Sequence, residues 1–285
     1  MGSLAGNGRG LYDAISSPNE QGFNTHRGDS VVPKRFLICL GILAFCVATP
    51  PYVHAQKKNP TAARVLLLSG GQREHHGYRD QAFALSKALE DTGKHRVTIV
   101  EDAGIFESSA MEKYDLVIVL TDRRDDEFKF TMAQQKALLA WVKAGHGYVS
   151  IHGADNAAKD WIPEWREMLG GVFSHVGLPD SKTKKGKFLI KIANQDSSIT
   201  KGLSDFELQD ELYYNLQMFE KVEPLATTEF ANGTWPVAWT RTYGKGKVFH
   251  TPLGHRDFGD GKLDPLQDPN LKKLVIQGID WVAGK

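Results

Sequence analysis

Four short runs, apolar through most of their length and set apart by helix-patterned or polar segments, limit what this chain can fold into. They are Arg64-Val-Leu-Leu-Leu68, Arg96-Val-Thr-Ile-Val100, Leu116-Val-Ile-Val-Leu120 and Gly147-Tyr-Val-Ser-Ile151. Such runs are too short for buried helices, and strands covered on both faces look like this. Between them, Ala82, Leu85, Ala88 and Leu89 share one helical face with Gly93 placed to end it, and Thr131 to Ala144 carries a second helical pattern. Strand and helix in alternation predict an α/β fold: a mostly parallel sheet flanked by helices, flavodoxin-like in plan. Chemistry in such sheets gathers beyond the carboxyl ends of the strands. Three polar junctions fall there: Ser69–His76, Thr121–Asp126 and His152–Asp155.

The later part of the chain changes character. Lys187–Ala193, Pro236–Thr242 and Lys247–Thr251 read as strands, the last two joined by Tyr243-Gly-Lys-Gly246 as a hairpin. Asp268 and Pro269 open a closing helix with Leu271, Leu274, Val275 and Val282 on its buried face. The C-terminal part is therefore expected to be hairpin-rich, within one domain over residues 63–284.

Residues 1–55 read as a leader, with 56–62 as a short linker. Lys34 and Arg35 precede the apolar run 36–47, which suits the core of a secretory signal and is short for a membrane span. Val53 and Ala55 fit the −3 and −1 positions of a cleavage site, so the mature chain starts near Gln56. The expectation is export to the periplasm or outside the cell, with no stable membrane span after cleavage; the alternative is an anchor left uncleaved. Cys39 and Cys46 both lie in this run, so the mature chain has no thiol for a nucleophile, a disulfide or a metal ligand. With 35 Lys+Arg against 34 Asp+Glu, the charge gives no footprint for nucleic acid.

Four stretches, in this order, resemble the ThuA-like (trehalose utilisation) family, whose fold is like that of class I glutamine amidotransferases. They are Tyr148-Val-Ser-Ile-His-Gly-Ala-Asp155, Met168-Leu-Gly-Gly-Val-Phe-Ser-His175, Asp210-Glu-Leu-Tyr213 and the run from Pro236 to Gly254-His255. The resemblance implies a role in carbohydrate metabolism, often beside dehydrogenases that make keto-sugars. It does not carry over Cys-dependent glutaminase activity: the turn after Ile151 reads His152-Gly153-Ala154, without a thiol.

Among the histidines of the mature chain, His95 and His146 read as structural and His250 as a core residue. His152 ends a buried strand beside a glycine, where its imidazole can serve as a base or a metal ligand. His175 and His255 match positions in the family motifs. Asp210 and Glu211 are adjacent, so in a strand they face opposite sides, and Glu211 is favoured for the cleft. The expected catalytic group is His152, Glu211 and His255. Gly70, Gly71, His76, Asp155, His175, Asp210, Tyr213 and Trp239 are the expected substrate-binding residues. Ser69-Gly70-Gly71 lacks the nucleotide-binding glycine patterns, and so reads as a tight turn that a substrate approaches closely. A divalent metal, zinc in type, on His152, His175 and His255 is an open cofactor reading, because the ligands are dispersed rather than set at a diagnostic spacing.

The function expected is an exported enzyme (hydrolase, lyase or isomerase) acting on a glycoside or keto-sugar by His/Glu acid/base chemistry, with or without a metal. The alternative is a non-catalytic carbohydrate- or partner-binding module. A homo-oligomer is compatible with either.

Overall fold

The strand runs sit side by side because each is apolar on both alternating faces and must be covered twice. The computed structural model describes residues 61–71, 76–124, 127–156, 161–174, 180–219, 222–259 and 262–285. The leader, its signal run and Cys39 and Cys46 therefore lie outside the described residues. In chain order the strands are β1 (Ala63–Leu68), β2 (His95–Val100), β3 (Leu116–Val119), β4 (Gly147–Ile151), β5 (Gly171–Val172), β6 (Lys182–Ile192), β7 (Phe206–Tyr214), β8 (Gln217–Met218), β9 (Glu223–Phe230), β10 (Gly233–Tyr243) and β11 (Gly246–Thr251). The helices are α1 (Tyr78–Asp91), α2 (Met132–Lys143), α3 (Pro163–Leu169) and α4 (Pro269–Ala283).

Nine strands form one sheet in the order β2-β1-β3-β4-β11-β10-β9-β6-β7, with β5 and β8 paired separately. In β1, Val65 and Leu67 face one side, packing with Leu85 and Leu89 of α1 and Leu274 and Ile279 of α4. Leu66 and Leu68 face the other, with Leu138 and Val142 of α2 and Trp165 and Met168 of α3. The two-residue period of a strand thus fills both core layers from one apolar run. Thr131 and Gln134 cap α2 reciprocally, and the Asp268 carboxylate accepts from the backbone N–H of Asn270 (2.8 Å) and Leu271 (3.1 Å) to start α4.

The expectation of a mostly parallel sheet is corrected by the second half. The pairings from β2 across to β11 are parallel, but those from β11 across to β7 are antiparallel. The sheet is mixed, in about equal parts, because β7, β9 and the lysine-rich start of β6 join it. The antiparallel half still covers one face: Phe188, Ile190, Phe206, Leu208 and Leu212 extend the core layer that contains α1 and α4. No helix among the described residues is long and apolar enough to cross a membrane.

Candidate functional site

The carboxyl ends of β1, β4 and β11 point the same way, and the antiparallel strand β7 crosses beside them. His152 follows β4 with a φ of 51°, left-handed backbone that a β-carbon disfavours. Its Nδ1 lies 2.9 Å from the Pro252 carbonyl oxygen, which only accepts, so Nδ1 carries the proton. The lone pair of the neutral ring is then on Nε2. That atom lies 3.2 Å from His76 Nε2, 3.1 Å from His255 Nδ1 and 3.2 Å from the Tyr213 hydroxyl. His76 comes from the loop after β1 and His255 from the loop after β11. The other nitrogen of His255, Nε2, lies 3.0 Å from Asp257 Oδ1, while its Nδ1 lies 3.1 Å from Glu211 Oε2.

The strand period separates Asp210 from Glu211. Glu211 and Tyr213 share the site face of β7, and Asp210 falls on the face that Leu208 and Leu212 bury. There its carboxylate accepts from three backbone N–H groups: Glu211 (2.7 Å), Gly254 (2.8 Å) and His255 (3.1 Å). The expectation that Asp210 binds substrate is therefore replaced by a role in holding the two chain segments that carry Glu211 and His255.

Burial sets the proton affinities, and the neighbours modify them. His152 is held well below the usual imidazole range by burial, reinforced by His76 and His255. Burial alone would lower His255, yet its bonds to Glu211 and Asp257 leave it raised. Burial alone would raise Glu211, yet the His255 hydrogen bond and the nearby charges leave it lowered. Asp210 is pushed up to about 7 by burial, against the pull of its three N–H donors.

A cavity of about 640 Å³ opens over this cluster, lined by His76, Glu211, Tyr213 and His255 together with Arg124, Thr183, Lys185, Asp257, Phe258 and Lys262. The last six were not legible in the sequence. Lys185 lies directly across the β6–β7 ladder from Glu211, so only knowledge of the register would have found it. Its Nζ lies 2.6 Å from Asp257 Oδ1.

Other expected residues lie elsewhere. Trp239 is fully buried, donates from Nε1 to the Leu169 carbonyl at 2.8 Å and packs with its ring tilted against His250. Asp155 is fully buried with Oδ2 3.2 Å from His250 Nε2, and burial raises its pKa. Trp239, His250 and Asp155 thus pack together inside the fold, off the cavity wall. Gly71, at φ 74°, sits under the loop after β3, where a β-carbon would meet Thr121 Oγ1 at 2.4 Å; Gly70 lines a neighbouring smaller cavity. His175 lies outside the described residues, so the reading of it as a ligand does too.

The cluster suits a metal better than the dispersed sequence suggested, with His76 and Glu211 in the set. One atom from each of His76, His152, Glu211 and His255 lies within 4.8 Å of all the others. The shorter separations are 3.1, 3.1 and 3.2 Å, and His152 Nε2 to Glu211 Oε2 is 3.8 Å. A tetrahedral ion with bonds of 2.0–2.1 Å has ligand–ligand edges of about 3.3 Å. The Nε2 lone pair of His152 and the Glu211 carboxylate both face His255 Nδ1, so a cation among them, a proton or a metal, relieves their repulsion. Three imidazoles and a carboxylate form a donor set typical of zinc.

The chain matches the ThuA family, described as trehalose utilisation, over residues 64–282. A search of curated proteins found no match. Among solved structures, it is similar to a putative ThuA-like protein from Parabacteroides merdae (23% identity, TM-score 0.67, covering 79% of this chain and 91% of that one). A second, from Bacteroides uniformis, shares 20% identity at a TM-score of 0.61, covering 81% and 95%. A β-galactosidase from Rahnella sp. R3 shares the fold at 14% identity and a TM-score of 0.52, covering 77% of this chain but 31% of that enzyme.

Proposed function

Because the chain belongs to the ThuA family, described as trehalose utilisation, we propose that it is a carbohydrate-processing enzyme with a divalent-metal centre on His76, His152, Glu211 and His255, acting on a glycoside or keto-sugar. The observation that carries this reading is the convergence of three imidazole nitrogens and a carboxylate oxygen, with His76, Glu211 and His255 lining a 640 Å³ cavity and His152 buried behind them. Four titratable groups at such short range suit acid, base or metal chemistry on a substrate in the cavity above them.

A divalent cation held there supplies Lewis acidity towards a sugar oxygen. The chain's own groups do the rest. The Pro252 carbonyl fixes the tautomer of His152, and Asp257 fixes that of His255, so each presents one defined nitrogen to the site. The Tyr213 hydroxyl, 3.2 Å from His152 Nε2, is placed to orient or protonate a substrate oxygen. Lys185 and Arg124 line the wall where negative charge on a sugar oxygen is best stabilised. Without an ion, Glu211 and His255 share a proton across the 3.1 Å contact between them, and a bound cation would displace it.

The test is metal content and turnover. Protein purified without a histidine tag or chelator, then supplemented with zinc, is expected to hold one ion per chain by elemental analysis. It is expected to act on a panel of nitrophenyl glycosides and their keto-sugar counterparts, losing both ion and activity as the pH falls and the ligand imidazoles protonate, His255 before the strongly lowered His152. A chain that binds no metal at any supplementation would remove the metal centre from this reading. One that binds sugar without turnover would favour a binding module.

Export is part of the proposal and rests on the sequence of residues 34–55. N-terminal sequencing of protein recovered from its native cells is expected to begin at Gln56; a start upstream of Lys34 would replace export with an uncleaved anchor.

A further inference from the structure

The large cavity does not end at the metal-type cluster. A second cavity, of about 200 Å³, lies beside it, lined by Gly70, Gly77, Tyr78, Arg79, Asp80 and Gly259 together with His76 and Phe258. His76 and Phe258 also line the large cavity, so the two share a wall made by one candidate ligand and one aromatic ring. Phe258 is 58% exposed. Of the large hydrophobic side chains exposed to this degree among the described residues, it alone lines either of these cavities. An aromatic ring on the wall common to two cavities offers an apolar face to a ligand that reaches from one into the other.

The segment that carries Phe258 is held in place from several sides. Asp257 pairs with His76 as an antiparallel bridge, Gly77 N–H donates to the Arg256 carbonyl at 3.0 Å, and Asp257 N–H donates to the Leu263 carbonyl at 3.0 Å. The Arg256 guanidinium reaches Asp80 (2.9 Å) and Asp264 (3.1 Å). Arg79 is paired with Glu101. The charged groups around the smaller cavity are thus already satisfied by one another, so its receptor chemistry is neutral: an aromatic face, backbone at two glycines and the edges of paired polar groups. A β-carbon at Gly77 would meet Arg256 Nη1 at 2.2 Å, so a side chain there would push on the guanidinium that pairs with Asp80.

We propose that the smaller cavity is a second subsite and that the substrate is a glycoside spanning both cavities. The reacting sugar lies over His76, His152, Glu211 and His255, and the aglycone or second sugar ring lies in the smaller cavity, with the face of Phe258 against the C–H face of a ring. This rests on the carbohydrate reading of the large cavity and narrows it: a free keto-monosaccharide would leave the smaller cavity and Phe258 uncovered.

Isothermal titration of the full mature chain with methyl α-glucopyranoside and with trehalose, maltose, cellobiose and lactose tests this. At least one disaccharide is expected to bind about tenfold or more tightly than the methyl glycoside. Asp80→Trp, which fills the smaller cavity from a wall the larger does not share, is expected to abolish that advantage and leave methyl glycoside affinity unchanged; the unchanged affinity doubles as the folding control. Should Asp80→Trp fail to fold, Phe258→Ala is expected to reduce the advantage and Phe258→Trp to keep it. No disaccharide advantage, or an advantage that survives both Asp80→Trp and Phe258→Ala, overturns the second subsite while the large cavity keeps its carbohydrate reading. Failure of all five sugars to bind the zinc-supplemented wild type overturns the second subsite and the glycoside branch of the proposed function together, leaving the large cavity to a keto-sugar.

Discussion

A His152→Asn variant is expected to fold, to lose its stoichiometric metal and to lose turnover by about 10²–10⁴-fold, the range associated with a positioned acid/base group. Asparagine is the informative choice because residue 152 has a φ of 51°, a conformation that asparagine tolerates better than most side chains. Its shorter side chain removes Nε2, the atom within 3.2 Å of His76, Tyr213 and His255. Elemental analysis after dialysis reads the metal, a steady-state assay reads turnover, and thermal melting shows whether the fold survives. His146→Ala, which removes a ring stacked on Trp141 away from the site, is the matched control and is expected to keep both. Stoichiometric metal with turnover within tenfold of wild type in His152→Asn would refute the assignment of the centre.

The second large effect is expected at Asp210, a residue that lines neither cavity. Asp210→Asn keeps the shape of the side chain but turns one acceptor oxygen into an N–H₂ group that faces backbone donors. The three N–H groups of Glu211, Gly254 and His255 now share two carboxylate oxygens. Leaving one of them buried without an acceptor costs about 1–3 kcal/mol. Because two of those N–H groups belong to Glu211 and His255, the loss also displaces the atoms that meet at 3.1 Å. A shift of about 1 Å in a catalytic group costs on the order of 10²-fold in rate, and loss of a supporting bond typically weakens metal binding about 10–100-fold. The expected result is therefore a drop in melting temperature together with weaker zinc binding in competition titrations. A lowered melting temperature with unchanged zinc affinity would make Asp210 a purely structural residue.

The parallel half was legible because its strands are apolar on both faces and its helices carry clear stop and cap residues: Gly93, Thr131 and Asp268. In the antiparallel half the β10–β11 hairpin and the end of β6 were legible, but the start of β6 and β7 were not, for two identifiable reasons. The start of β6 reads Lys182-Thr-Lys-Lys-Gly-Lys187, with no apolar side for periodicity to detect. In β7 the buried face runs Phe206, Leu208, Asp210, Leu212, and the carboxylate interrupts the alternation at the position where it serves the backbone. That interruption is itself the signal that a buried acid has backbone work to do. His152 and His255 were readable from their places after strands, and Glu211 from the two-sided geometry of a strand. The meeting of His76 with them depended on how the loop after β1 folds back, which no local pattern encodes. Trp239 misled because a tryptophan in a sugar-linked sequence invites a binding role, while its place on a central strand dictates burial.

The change at β11 from parallel to antiparallel pairing gives the cluster one more consequence. His76 and His152 belong to the parallel side of the sheet, Glu211 to the antiparallel side, and His255 follows the strand at the seam. An ion bound by all four would act as a clasp across that seam, and it would be assembled from segments that are far apart along the chain. Its affinity would then be drawn from folding itself. Metal supply would set how firmly the two halves of the sheet are held together, and a cell short of the ion would carry a protein that is looser as well as inactive.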